Sequence, residues 1–494
     1  MQSSGPNLLK NKYIGGFIKS KWYPGIIQWP TLLIFMMIMF ELLLGPSAAH
    51  DNFGTALTWV LWWPIIPIMF LFLGRFWCAI CPFATINDLV QKFAGNNQPA
   101  PKFLRKYGIW IIDALFIFVT WSDHVWGVVE NPVGSGILLM TLTTGVVASG
   151  AFFERRTFCR YVCFLGGLSG NYARNGMLQL RGTPEICATC TVAACFKGTE
   201  KSQPCPLFEF PKTMTSSANC NICGSCAKNC PNDSIQLTLR PPSKELWFIR
   251  KPKVEEAFLS AVIMGIVFVQ NVTMLKAWPG MLAWLENAVG TTNFYVTFSV
   301  AFLISMLIPI SLLGLTSLVA QQFNKESMLQ NFTRFGYALI VLDMAGHMAH
   351  NLFHLLAEGK AILFTGLAFF GQGVGHGLST ALMEPGTIHG HMAHNLFHLL
   401  AEGKAILFTG LAFFGQGVGH GLSTALMEPG TIQLLQFGLV GIGFAGSLYT
   451  AYRIAKANYA PEKLWGTFIP YAVLMVVLGI INIWMFVLPM AMRM

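Results

Sequence analysis

Charge is scarce in this chain: Asp, Glu, Lys and Arg together make up 11% of 494 residues, against 54% hydrophobic residues. That poverty excludes a soluble globular protein. A dinucleotide fingerprint and a flavin motif are also missing, because Gly371, Gly373 and Gly375 alternate within an apolar stretch with no strand before them. Electrons must then be supplied or removed by redox partner subunits. Cysteine is absent before Cys78 and after Cys230, yet twelve cysteines crowd between those positions. Small core hydrophobes would be scattered, so the clustering implies shared chemistry. The net charge of +10 does not call for nucleic acid, since in so apolar a chain Lys and Arg mark the loops on the cytoplasmic face of a lipid bilayer.

Apolar stretches of membrane-crossing length recur along the chain. Spans are expected at roughly 26–45, 55–74, 108–130, 133–153, 254–275, 293–320, 334–357, 361–383, 432–452 and 466–489. The first also reads as a signal-peptide core with Ser47 and Ala49 as a cleavage signature, but its long leader and Glu41 favour a retained span. The expected fold is therefore an all-α polytopic membrane protein of about ten helices. Lys10, Lys12, Lys19 and Lys21 precede the first span, and Arg75, Lys92, Arg105, Arg155 and Arg160 follow the second and fourth. This places the N-terminus and every cysteine in the cytoplasm, where metal ligation outweighs disulfide bonding. Three domains follow: a membrane domain (1–153), a polar cytoplasmic domain (154–253) and a second membrane domain (254–494).

Gly346–Ile388 is identical, letter for letter, to Gly390–Ile432. Ancient structural repeats diverge, and the second copy begins in mid-span, so a recent duplication or an assembly error is favoured over a second functional unit. Ten spans would also leave Arg453, Lys456 and Lys463 outside, against the positive-inside rule. One of the C-terminal spans is suspect.

The run Cys220-x2-Cys223-x2-Cys226-x3-Cys230-Pro231 is the ligand spacing of bacterial [4Fe-4S] ferredoxins, in which the fourth cysteine turns away to a second cluster. Cys187, Cys190 and Cys195 supply that second cluster, with Cys205-Pro206 as the reciprocal donor. The pairing is crossed: Cys220, Cys223, Cys226 with Cys205, and Cys187, Cys190, Cys195 with Cys230. Two further pairs, Cys78/Cys81 and Cys159/Cys163, sit where the second and fourth spans end, each after a basic residue and an aromatic. They offer a third [4Fe-4S] cluster, a redox dithiol or a purely structural role.

At these residues, over roughly 74–235, the chain resembles the membrane-bound polyferredoxin family, which includes NapH-type quinol dehydrogenase subunits and the NosR-type and FixG-type proteins. That family's paired motif is usually Cys-x3-Cys-Pro; here the first pair is Cys-x2-Cys-Pro and the second Cys-x3-Cys-Phe. The resemblance implies a quinol-linked electron-transfer protein of a prokaryotic inner membrane, an oxidoreductase subunit of a respiratory complex. A rival reading is an accessory protein whose electrons serve maturation or reactivation of a metalloenzyme such as a copper enzyme.

Asp343, His347, His350, His354 and Glu358 recur at steps of 4, 3, 4 and 4, one face of a helix. Ionisable groups in hydrocarbon are costly, so this face should line the bundle interior. Three roles remain open: haem b ligation, by His347 with His376 or by His354 with His124; a quinol-binding or proton-relay site using Asp343, His350, Asp123 and His124, with Asp113 a further candidate; or hydrogen-bonded core histidines.

Overall fold

The computed structural model describes residues 5–370 and 426–488. Among them, seven helices are long and apolar enough to cross a bilayer: Gly25–Leu44, Phe53–Ala94, Pro132–Phe152, Val254–Thr273, Phe294–Asn324, Gly430–Asn458 and Pro461–Val487. Phe53–Ala94 is broken at Gly74, where φ is +59°, and again at Cys81. The third expected span is a helix too, Lys102–Trp126, but its Lys, Arg and Asp residues make it less apolar than the seven.

Val254–Thr273 is the axis of the bundle, with 72% of its most apolar window buried against 28% for Gly25–Leu44 and for Pro132–Phe152. Its neighbours pack closely where side chains are small. A Cβ on Gly443 would lie 2.2 Å from that of Ala345, so the helices Leu339–Glu358 and Pro429–Asn458 meet backbone to backbone.

The expected C-terminal topology needs correction. Lys360–Phe369 bends by 54° from the preceding helix, the rest of the span expected at 361–383 lies outside the described residues, and the Leu426 amide donates to the Leu356 carbonyl at 2.6 Å. The described chain thus resumes at the end of the bundle where it broke off. Pro429–Asn458 then carries Arg453 back to the cysteine domain, where its guanidinium stacks 4.1 Å from the Trp247 ring. Arg453 therefore shares an end with the N-terminal lysines, and the conflict with the positive-inside rule disappears.

The cysteine domain is built on two antiparallel strands, Leu178–Gly182 and Ile235–Leu239, paired from Leu178↔Leu239 to Gly182↔Ile235. The segment ahead of the first span closes over it: Leu237 N donates to Asn7 Oδ1 at 3.0 Å, Tyr23 Oη to the Ile222 carbonyl at 2.6 Å, and Lys19 pairs with Asp233 at 2.5 Å. Beneath the sheet Glu245 is ion-paired with Arg240 and, at 2.9 Å, with Arg181. Burial would raise its carboxyl, but Arg240 and Arg181 hold it at about 2. A folded value below the ordinary 4.5 means that this stabilisation is complete above about pH 4.5 and is lost as pH falls towards 2. Glu245→Ala, which strands a buried guanidinium, is expected to cost about 3–5 kcal/mol. The check is the thermal midpoint of the holoprotein, and an unchanged midpoint refutes the role.

Candidate functional site

The stretch Ala56–Trp62 widens into a π-helical turn just before Pro64 and Pro67. Neither proline has an N–H to return to the preceding turn, which loosens the ladder there. The wide turn presents Trp59, Trp62 and Trp63 to the interior. Below it the chain breaks at Gly74, and Arg75, only 4% exposed, bonds three segments: Nε to Cys78 Sγ at 3.4 Å, and its terminal nitrogens to the carbonyls of Ala218 at 2.6 Å and Cys159 at 3.5 Å. Arg156, equally buried, donates to the Cys78 carbonyl at 2.9 Å and pairs with Asp88 at 2.5 Å. Two arginines thus pull Cys78/Cys81 and Cys159/Cys163 together.

Cys81 and Cys163 occupy the same local position, each immediately before a helix, Pro82–Ala94 and Phe164–Asn175. Helix N-termini favour thiolates. Burial, with Cys81 and Cys78 alongside, pushes the Cys163 thiol up to about 12. Cys159 is likewise raised by burial and by Cys163. Four thiols gathered beside two buried guanidiniums suit a polycationic centre. Among the described residues no three His, Cys, Asp or Glu side chains close on one metal ion.

In the cysteine domain the thiols fall into two neighbourhoods that meet at Cys226, which feels Cys195 as well as Cys220, Cys223 and Cys205. Cys205, raised to about 11 by burial, feels Cys223, and Cys220 feels Cys223 and Cys205. Cys195, also raised to about 11 by burial, feels Cys230, Cys187 and Cys190. A single hydroxyl, Ser234 Oγ, lies 3.3 Å from Cys187 Sγ and 3.4 Å from Cys230 Sγ. Ser234 is placed there by the strand pairing, since its carbonyl accepts from the Thr183 amide at 2.8 Å. Ile222, between Cys220 and Cys223, has φ +56°, a costly conformation for a β-branched residue that Tyr23 pins from above. The arrangement fits two cubane clusters with exchanged fourth ligands.

An apolar cavity extends from Cys163 and Phe158 into the membrane bundle, walled by Trp59, Trp63, Phe116 and Leu142. Its opposite end is polar, with Asp123, Glu130, His350, His354 and Glu358. His350 Nδ1 is 3.1 Å from Asn271 Oδ1, and His354 Nδ1 is 3.2 Å from Glu358 Oε2. Glu358 Oε1 is buried without a hydrogen-bond partner. A second, more polar cavity adjoins this end, lined by Asp123, Glu130, His124, Thr273 and Trp278.

The remaining sequence candidates fall elsewhere. Asp343 is fully buried with both carboxylate oxygens unpartnered, but it borders neither cavity. His347 packs against Trp63 and Tyr172, with Nδ1 3.3 Å from the Tyr172 hydroxyl. Asp113 is buried near Glu255, towards the cysteine end. His376 lies outside the described residues. The haem couple of His347 with His376 therefore falls outside the described residues, and His347 Nε2 is buried without a hydrogen-bond partner. In the other couple, His354 with His124, His124 has both ring nitrogens engaged, by the Thr120 carbonyl at 2.9 Å and Thr273 Oγ1 at 3.3 Å. His50, beside Asp51 at the surface, is in neither couple.

Trp59, Trp63, Glu130 and Ser234 were not singled out by the sequence. The crowding of Trp59, Trp62 and Trp63 before a proline was a usable signal; Glu130 and Ser234 carried none.

Two segments, residues 55–101 and 135–180, match a family described as a 4Fe-4S binding domain. They contain Cys78/Cys81 and Cys159/Cys163, so the twofold match follows the twofold device at the membrane surface. The chain thus combines helices long and apolar enough to cross a membrane with two segments similar to a 4Fe-4S binding domain. No curated protein and no solved structure matches the chain.

Proposed function

We propose that the protein is the membrane subunit of a respiratory oxidoreductase, passing electrons between a quinol or quinone in the apolar cavity and three [4Fe-4S] clusters. Cys78, Cys81, Cys159 and Cys163 hold the cluster nearest the membrane, and the two crossed sets hold the others. When bound, such clusters carry one electron at a time and so divide the two-electron chemistry of a quinol. The observation that carries this reading is the cavity, which ends on Cys163 at one side and on a carboxylate–imidazole pair at the other. Its aromatic and aliphatic walls take a quinol ring and tail, and Glu358 with His354 accepts hydroxyl protons. This reading makes it similar in function to the quinol dehydrogenase branch of the polyferredoxins. By the positive-inside rule the cysteine domain faces the cytoplasm of a prokaryotic cell, where a redox partner protein exchanges electrons with it.

The purified holoprotein is expected to contain about 12 Fe and 12 sulfide per chain and to bleach in the visible on addition of a short-tailed quinol. About 8 Fe would remove the membrane-surface cluster, and no bleaching with full iron would remove the quinol.

A further inference from the structure

We propose that the polar cavity beside the quinol site is a proton exit, so that the protein separates charge across the membrane: electrons leave towards the cysteine domain and protons towards the opposite face. The inference rests on the quinol reading above and adds a direction to it.

Three observations carry it. Asp123, Val129 and Glu130 line both cavities, so the apolar site and the polar one share a wall of two carboxylates. These residues lie at the end of the helix Lys102–Trp126 and in the turn before Pro132–Phe152, the end of the bundle remote from the cysteines. Glu358, 2% exposed, has one carboxylate oxygen on His354 and the other unpartnered, and it lines the apolar cavity from the same end. At the opposite end the walls are Phe83, Phe158, Phe164 and Leu165 around Cys163, none of which accepts a proton from a hydroxyl.

Oxidation of a hydroquinone to the quinone breaks two O–H bonds. Both protons pass to the Glu358–His354 pair, then to Asp123 and Glu130, and leave through the polar cavity beside His124. The two electrons leave singly for the oxidised iron–sulfur centres, which are the oxidant.

The test uses the holoprotein in sealed liposomes with a pH-sensitive dye inside and an impermeant one-electron oxidant, ferricyanide, outside. Only molecules with the cysteine domain outward are turned over when a quinol is added. Acidification of the lumen is expected, and acidification of the exterior alone overturns the proposal. Glu130→Gln is expected to slow luminal acidification by on the order of 10²-fold, with Glu130→Asp restoring most of it. Unaltered acidification in both Glu130→Gln and Asp123→Asn also overturns the route. Quenching of tryptophan fluorescence by a quinone, read through Trp59 and Trp63, reports binding in the wild type. If wild type shows neither quenching nor quinol oxidation, the quinol reading fails; if both occur and the lumen stays neutral, only the exit route fails.

Discussion

Replacing Cys230 by serine is expected to abolish the cluster built on Cys187, Cys190 and Cys195 and to leave that of Cys220, Cys223 and Cys226 intact, although Cys230 lies in the same short run as the latter. The reason is geometric. The strand register holds Thr183 against Ser234, and Ser234 Oγ touches the sulfurs of both Cys187 and Cys230. Cys195, across the loop, feels Cys230 first among its neighbouring thiols. Iron should fall from about 12 to about 8 per chain, and spectroscopy of the reduced protein should lose one centre. Cys205→Ser should remove the other centre. Loss in the Cys230 variant confined to the Cys220 set would refute exchanged ligation.

The second large effect is expected at Glu358. Glu358→Gln keeps the size of the side chain and a hydrogen-bonding partner for His354 but cannot take up a proton. Quinol oxidation should fall by about 10²–10⁴-fold, whereas quinone affinity should change little, because the apolar walls are untouched. Rates are read by stopped-flow bleaching of the holoprotein and affinity by tryptophan quenching. An undiminished rate would show that the proton leaves by another group, and equal losses of rate and affinity would show that Glu358 serves binding.

Much of this was legible in the sequence because membrane crossing and cluster ligation are both local codes. A run of apolar residues announces its own span, and Cys220-x2-Cys223-x2-Cys226-x3-Cys230-Pro231 announces its own cubane. What stayed hidden depends on residues far apart in the chain. Arg75 and Arg156 read as ordinary positive-inside charges, yet both are buried and hold the cysteine pairs together. The stripe from Asp343 to Glu358 read as one site, but a helix face 20 residues long meets different neighbours along its length. Its last turns meet the cavity, while Asp343 and His347 meet Tyr172 and Trp63. The bend after Glu358 was hidden for a related reason: apolarity says that a segment can enter a bilayer, whereas a bend depends on what surrounds it. Glu130 was invisible because a lone acidic residue in a turn has no local signature; only its place between two cavities gives it a role.

The contact between Leu356 and Leu426 bears on how the chain acquired its doubled segment. Where two ends of an excursion already touch, the entropy of closing it grows only with the logarithm of its length, about 0.6 kcal/mol per doubling. Excision of His389–Ile432 would join Ile388 to Gln433, restoring the same Glu-Pro-Gly-Thr-Ile-Gln junction that now begins the helix Pro429–Asn458. Adding or removing one copy at this junction therefore leaves the sequence of the helix Pro429–Asn458 unchanged.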